Sequence, residues 1–235
     1  MIKILLAAGH GAGDNRGGVC YNEGDNNFHY SLTLKKELDT YDHVQVDLLR
    51  KSITDNPSLE NRAKAGAGYD LYFAIHSNAF NDSGVRGTEV FDSVEKPNQA
   101  LAKTICDITA EAFGHNNRGV KYKENQPGYN WYGELRFNQA GSAMIVEMGF
   151  HTNPTDCDFF KNNHETLAIV QARAIASHYG LKKKAIKDEK EHWAEVHYNN
   201  LIKKGIEIQE KRFDDKMSRG EVFAILDRLT DKIGG

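Results

Sequence analysis

Four side chains have types and positions that could support hydrolytic chemistry. His10 follows the apolar run IKILLAA within GHG, His76 closes the run DLYFAIH, Glu147 stands near the end of AMIVEM, and Glu23 lies in a Gly- and Asn-rich stretch after the first run. Two imidazoles and a carboxylate are a common donor set for a hydrolytic zinc ion, with one coordination position left for water. A second carboxylate beside that water could take its proton. The spacing leaves open which carboxylate does which. Taken singly, each residue also has an ordinary structural reading. His10 could serve only its turn, although the flanking glycines give its ring little to pack on. His76 could be a core histidine with both nitrogens satisfied. Glu147 could be half of a buried ion pair, since carboxylates are seldom buried alone. Glu23 could be a solvated loop acid.

The elements that must position these residues follow from the apolar pattern. Unbroken apolar runs at Ile2–Ala8, 70–76 and 143–148 read as buried strands, and 43–49 as another. Residues 87–91 (GTEVF) predict a short, more exposed strand. Helices are expected over 28–38, 56–66 (opening with Pro57), 95–113 and 164–179, the last capped by Gly180. Residues 9–27 and 114–132 read as surface loops. The fold class is α/β: a twisted, mostly parallel or mixed sheet covered by helices on both faces, plus a small helical C-terminal module. Ligands of such sheets bind beyond the carboxyl ends of the strands, so His10, His76 and Glu147 are expected on one rim. The domain reading is 1–180 catalytic, 181–191 a charged linker, and 192–235 a small module. That module has helices over 193–204 and 219–231, the second capped by Ser218 with Glu221 three residues on.

Composition excludes several classes. The 235 residues carry 30 Lys+Arg against 33 Asp+Glu, a formal net charge of -3. That is a poor basis for nucleic-acid binding. No window has the roughly 18 apolar residues of a membrane helix, so no membrane insertion is expected. The first apolar run is too short for a signal peptide, which predicts synthesis in a cytoplasm. Cys20, Cys106 and Cys157 are odd in number and form no C-x-x-C pair, which argues against a disulfide framework or a cysteine zinc site. The glycines at 9–18 match neither a P-loop nor a dinucleotide fingerprint, and no serine or cysteine nucleophile motif is present. Among the other histidines, His151 is near enough to Glu147 to line the same rim or to cap a turn.

Taken together and in order, four stretches resemble the zinc-dependent N-acetylmuramoyl-L-alanine amidases of the Amidase_3 family: AAGHGAGDNRGG, NEGDNNFHYSL, FAIHSNAF and IVEMGFHTNPTD, with GTEVF fitting between the last two. The resemblance covers about residues 1–180. It implies one zinc ion on His10, Glu23 and His76, Glu147 as the catalytic acid–base, and bacterial peptidoglycan as substrate. The size suggests an endolysin of a bacteriophage or a prophage relative, made in the bacterial host cytoplasm and acting at the cell wall after release. Departures from the family pattern are GHGA at 9–12, no asparagine shortly after Arg62, and Gly141-Ser142 in place of a proline before the last strand. None of them removes a metal donor.

The tail HWAEVHYNNLIKKGI…FDDKMSRGEVFAILDRL resembles one S-layer-homology repeat. This implies binding of a secondary cell-wall polymer. A simple appendage or a homo-oligomer formed through the tail is the other reading. In the 114–132 stretch, Tyr122, Tyr129, Trp131 and Tyr132 could contact a glycan or stem peptide, or pack on the surface. Rival readings of the whole are a non-catalytic wall-binding protein on the same fold and a zinc hydrolase of another peptide amide.

Overall fold

The computed structural model describes residues 1–184 and 194–205. The chain divides into two units, Met1–Lys184 and Ala185–Gly235. In chain order the first unit runs β1 (Ile2–Ala8), α1 (Glu23–Leu38), β2 (Val44–Leu48), α2 (Leu59–Lys64), β3 (Leu71–Asn78), β4 (Thr88–Asp92), α3 (Gln99–Phe113), β5 (Asn117–Lys121), β6 (Glu124–Gln126), β7 (Tyr129–Asn130), α4 (Gly133–Arg136), β8 (Ser142–Phe150), α5 (Pro154–Asn162) and α6 (His164–His178). In the second unit α7 (Glu195–Lys203) falls within the helix expected over 193–204. The second tail helix with its Ser218 cap lies outside the described residues, as does most of the expected linker.

Six strands form one mixed sheet in the order β2-β1-β3-β8-β4-β5. The first four are parallel, β4 runs antiparallel to β8, and β5 runs parallel to β4. The three apolar runs are the adjacent strands β1, β3 and β8. They are apolar throughout because both of their faces are covered. Ile4 and Leu6, Leu71, Phe73 and Ile75, and Met144, Val146 and Met148 point to one side, into a core with Tyr30, Leu34, Leu101, Ile105, Phe160 and Leu167 of α1, α3, α5 and α6. Leu5 and Ala7, Tyr72 and Ala74, and Ala143 and Ile145 point to the other side, where Leu135 of α4 meets them. Period-two alternation carries these faces forward to the chemistry. His76 continues the face of Tyr72 and Ala74, and Glu147 that of Ala143 and Ile145.

Several expectations are corrected. Strand β4 is not exposed: all five of its residues are buried, because β8 and β5 pair with it on either side. The 114–132 stretch is not one loop, since it supplies the edge strand β5 and the small β6–β7 ladder. Helix α1 begins at Glu23, five residues earlier than its apolar spacing indicates. Helix α5 was not foreseen. Asn153 caps it by accepting from the amides of Thr155 and Asp156, with a proline in its first turn. Cys20 and Cys157 form a disulfide with Cα atoms 6.1 Å apart, and Cys106 is the buried free thiol. An odd count rules out complete pairing but not a single bridge. Residues 182–184 of the expected linker bond back to the α1–β2 turn: the Asp42 amide donates to the Lys182 carbonyl (2.8 Å) and the Lys184 amide to the Thr40 carbonyl (2.8 Å). Gly180 follows α6 in the left-handed region (φ 65), as expected of a helix-ending glycine.

Candidate active site

The loop leaving β1 turns sharply. His10 adopts φ 61, a left-handed conformation uncommon for a non-glycine residue, which costs of order 1–3 kcal/mol and is characteristic of functional sites. The turn is fixed by the Gly9 amide donating to the Ile75 carbonyl at 2.9 Å. Gly9 must lack a side chain, because a Cβ there would collide with the His76 ring. The two imidazoles consequently meet edge to face, with ring centroids 4.9 Å apart. Glu23 is the first residue of α1, where the helix N-terminus favours negative charge. The start of α1 is pressed against the loop: a Cβ on Gly24 would run into the Gly11 carbonyl. Buried Arg50 donates to the Gly24 carbonyl from Nη1 (2.5 Å) and to the Ile53 carbonyl from Nη2 (2.6 Å).

These local geometries bring His10, Glu23 and His76 together. One donor atom from each lies within 4.8 Å of the other two. Glu23 Oε2 is 3.2 Å from His10 Nε2, and its Oε1 is 3.3 Å from His76 Nδ1 while accepting the Ser77 amide at 3.0 Å. Burial alone would raise the Glu23 carboxyl. Hydrogen bonds from His10 and His76 outweigh burial and hold it below the ordinary carboxylate range. Burial would likewise lower the His76 imidazole, but the carboxylates of Glu134 and Glu23 raise it well above its ordinary value.

Glu147 lies in register with His76 on one side and Glu89 on the other. It is 9% exposed, and its Oε2 is buried without a hydrogen-bond partner. Burial pushes its carboxyl up to about 8; nearby His76 opposes this and the acids Glu23, Glu89 and Glu134 add to it. Glu89 is tied down separately, accepting from Asn78 Nδ2 at 2.7 Å and Arg118 Nε at 2.9 Å. A cleft of about 750 Å³ opens over these groups, with Arg16, Arg62 and Tyr132 on its walls. Tyr132 both packs on Phe91 (centroids 4.7 Å apart) and reaches the cleft, whereas Tyr122, Tyr129 and Trp131 are exposed.

His151 is drawn in as well. Its Nε2–H donates to the Arg16 carbonyl (2.9 Å), so its Nδ1 accepts from the Ser77 hydroxyl (3.0 Å), which in turn accepts from Tyr21 (3.0 Å). That chain ties the loop between His10 and Glu23 to the end of β8. Glu134 was not anticipated: its Oε2 sits 3.3 Å from His76 Nε2, inside a four-residue helix. The available signal was a lone acid in the aromatic and apolar stretch WYGEL, which the loop assignment of 114–132 and the strand beginning at 143 passed over.

The donor set suits a divalent cation of the zinc type. Two imidazoles and one carboxylate converge, the surrounding acids are buried, and a cation would offset their charge. A groove, a three-donor cluster and a buried acid beside it are the ingredients of metal-assisted hydrolysis.

The chain is 32% identical over 174 residues to the probable cell wall amidase LytH of Staphylococcus aureus, spanning 72% of this chain and 55% of that one. It thus covers about half the length of the curated relatives it matches. The fold resembles the catalytic domain of CwlV, an N-acetylmuramoyl-L-alanine amidase from Bacillus (Paenibacillus) polymyxa var. colistinus: TM-score 0.67, 22% identity, 77% of this chain and 100% of that one. It also resembles the catalytic domain of the CD27L endolysin targeting Clostridia difficile: TM-score 0.59, 23% identity, 75% of this chain and 98% of that one. The N-acetylmuramoyl-L-alanine amidase family model, Amidase_3, matches residues 4–177, from the first strand through the last helix of the sheet unit, and the chain belongs to that family.

Proposed function

We propose that this chain is a zinc-dependent N-acetylmuramoyl-L-alanine amidase, cutting the amide between the lactyl group of N-acetylmuramic acid and L-alanine in bacterial peptidoglycan. The observation that carries the reading is the convergence of His10, Glu23 and His76 beside a buried Glu147 with a free oxygen. A zinc ion on the three donors supplies Lewis acidity, polarising the scissile carbonyl and making a water easier to deprotonate. Glu147 accepts the proton of the attacking water and returns one to the departing amine. The cleft, with Arg16, Arg62 and Tyr132 on its walls, holds the substrate.

The test is digestion of purified cell walls by the full chain, with and without a chelator. An amidase releases new N-terminal alanine without new reducing sugar, and activity stripped by chelation returns with zinc. Wall binding with no bond cleaved would favour a non-catalytic wall-binding protein. Cleavage of other amides in place of the lactyl–alanine bond would favour a different peptide hydrolase. We further propose that the chain acts at the wall after release from the cell that makes it, in the manner of an endolysin. In this reading the tail raises the local concentration of enzyme at the insoluble substrate by binding a wall polymer, or else pairs two copies. Sedimentation with purified walls, and the mass in solution by light scattering, separate those two roles.

A further inference from the structure

We infer that Glu134 is a positioning residue for His76: it takes the Nε2–H of the ring and so presents the Nδ1 lone pair to the metal side of the site. The inference rests on the zinc reading above. His76 stands between two carboxylates, with Nδ1 3.3 Å from Glu23 Oε1 and Nε2 3.3 Å from Glu134 Oε2. A neutral imidazole has one N–H and cannot donate to both. His10 also bonds Glu23, so the other two donors lie on the Nδ1 side. A cation there takes the Nδ1 lone pair and leaves the proton on Nε2, facing Glu134.

The structure holds Glu134 in place for this. It is buried, and its second oxygen accepts from the Tyr72 hydroxyl at 2.6 Å. Tyr72 and His76 are four residues apart on β3 and share a face, so the strand that carries the ring also carries the group that fixes its orienting acid. Asn138 Nδ2 donates to the Glu134 carbonyl at 3.3 Å, anchoring the short helix. With Gly9 against its face and a carboxylate at each nitrogen, the ring has one orientation. A metal-binding histidine commonly donates its other N–H to such a carboxylate, and losing that partner costs about 10–100-fold in metal affinity.

The experiment compares the full chain with Glu134→Gln and Tyr72→Phe. It measures zinc affinity by competition with a chromophoric chelator, the visible spectrum of the cobalt-loaded protein, and the ¹⁵N shifts of His76. Glu134→Gln should bind zinc about 10–100-fold more weakly and shift the cobalt spectrum, with the metal-free fold intact by near-UV circular dichroism. Tyr72→Phe should shift both in the same direction by less, and it decides the matter if Glu134→Gln does not fold. Wild-type zinc affinity and cobalt spectrum in the variants would overturn the role of Glu134 while leaving the amidase reading standing. ¹⁵N shifts placing the metal on Nε2 would do the same. A wild-type chain that binds no zinc would remove the metal reading and this inference together.

Discussion

At the corner where β8 meets α5, Asp156 accepts from Arg86 Nε (2.8 Å), His115 Nδ1 (2.9 Å) and the amides of Gly87 and Phe150 (3.1 Å each). His115 goes on to Thr88, whose hydroxyl donates to the Met148 carbonyl. At the rim of the same strand, three buried acids, Glu23, Glu134 and Glu147, surround two imidazoles, and one oxygen of Glu147 has no partner. Both clusters mix histidine with buried carboxylate, yet Asp156 and Glu147 respond oppositely. Burial would raise Asp156, but His115 and Arg86 bring it down to about 2, whereas burial leaves Glu147 at about 8. The corner leaves neither oxygen of Asp156 without a partner. The rim leaves one oxygen of Glu147 without a partner, and in the zinc reading a cation would be held beside it by His10, Glu23 and His76. A buried polar cluster is thus better classed by whether its hydrogen bonds close than by which residue types it contains.

The sharpest way to break this comparison is Glu147→Gln. Wall hydrolysis should fall about 10²–10⁴-fold, while the melting temperature holds or rises, because a neutral amide replaces an incompletely bonded carboxyl. A large loss of stability would mean that Glu147 serves the fold as Asp156 does. Asp156→Ala should do the reverse, costing about 3–5 kcal/mol in urea denaturation by orphaning Arg86 and His115, with zinc affinity of the folded protein unchanged. Zinc loss without destabilisation would erase the distinction between the clusters.

The Cys20–Cys157 bridge joins the two regions, since Cys20 lies on the loop between His10 and Glu23 and Cys157 follows Asp156. Replacing both cysteines with serine should cost about 2–4 kcal/mol by freeing the unfolded chain. Reductant should then lower the melting temperature of the native protein and not that of the double variant. Equal sensitivity of the two would remove the bridge from the description.

The smallest effect calibrates burial of an imidazole without an acid. His164 faces Asn26 Oδ1 at 3.2 Å, and burial, with His29 adding, lowers it to about 4. Its folded pKa is below its unfolded value near 6.5, so between those values the unfolded chain binds the extra proton and stability falls as pH falls. From pH 7.5 to 5.5 the loss should be about 1 kcal/mol, and His164→Gln should abolish that part of the slope in paired urea titrations. An unchanged slope in the variant would assign it elsewhere.

The central strands and the histidines that end them were legible because continuous apolar runs announce strands covered on both faces. What escaped shares a physical cause. The first turn of α1 buries Glu23, Gly24, Asn26 and Asn27, none of them apolar side chains, so apolar periodicity is silent there. β5 reads NRGVK at the sheet edge, exposed or half-buried throughout, with no alternation to detect. Glu134 sits in a helix of four residues, too short for any periodic signal. The bridge at Cys20 depends on two segments 137 residues apart, a proximity that only the folded sheet creates.

Strand β8 is the last strand of the sheet to leave the ribosome, and it sits between β3 and β4. A growing chain shorter than 142 residues holds both imidazoles and Glu23 but lacks the strand that bridges the two halves of the sheet. The pairings that complete the rim span long stretches of sequence, and such contacts form late. Under the proposed mechanism, a hydrolase built in this order would stay inert until that strand is made. An interrupted or prematurely released chain would lack the proposed proton acceptor at position 147, so in this reading the capacity to cut the wall would arrive only with the last strand of the sheet.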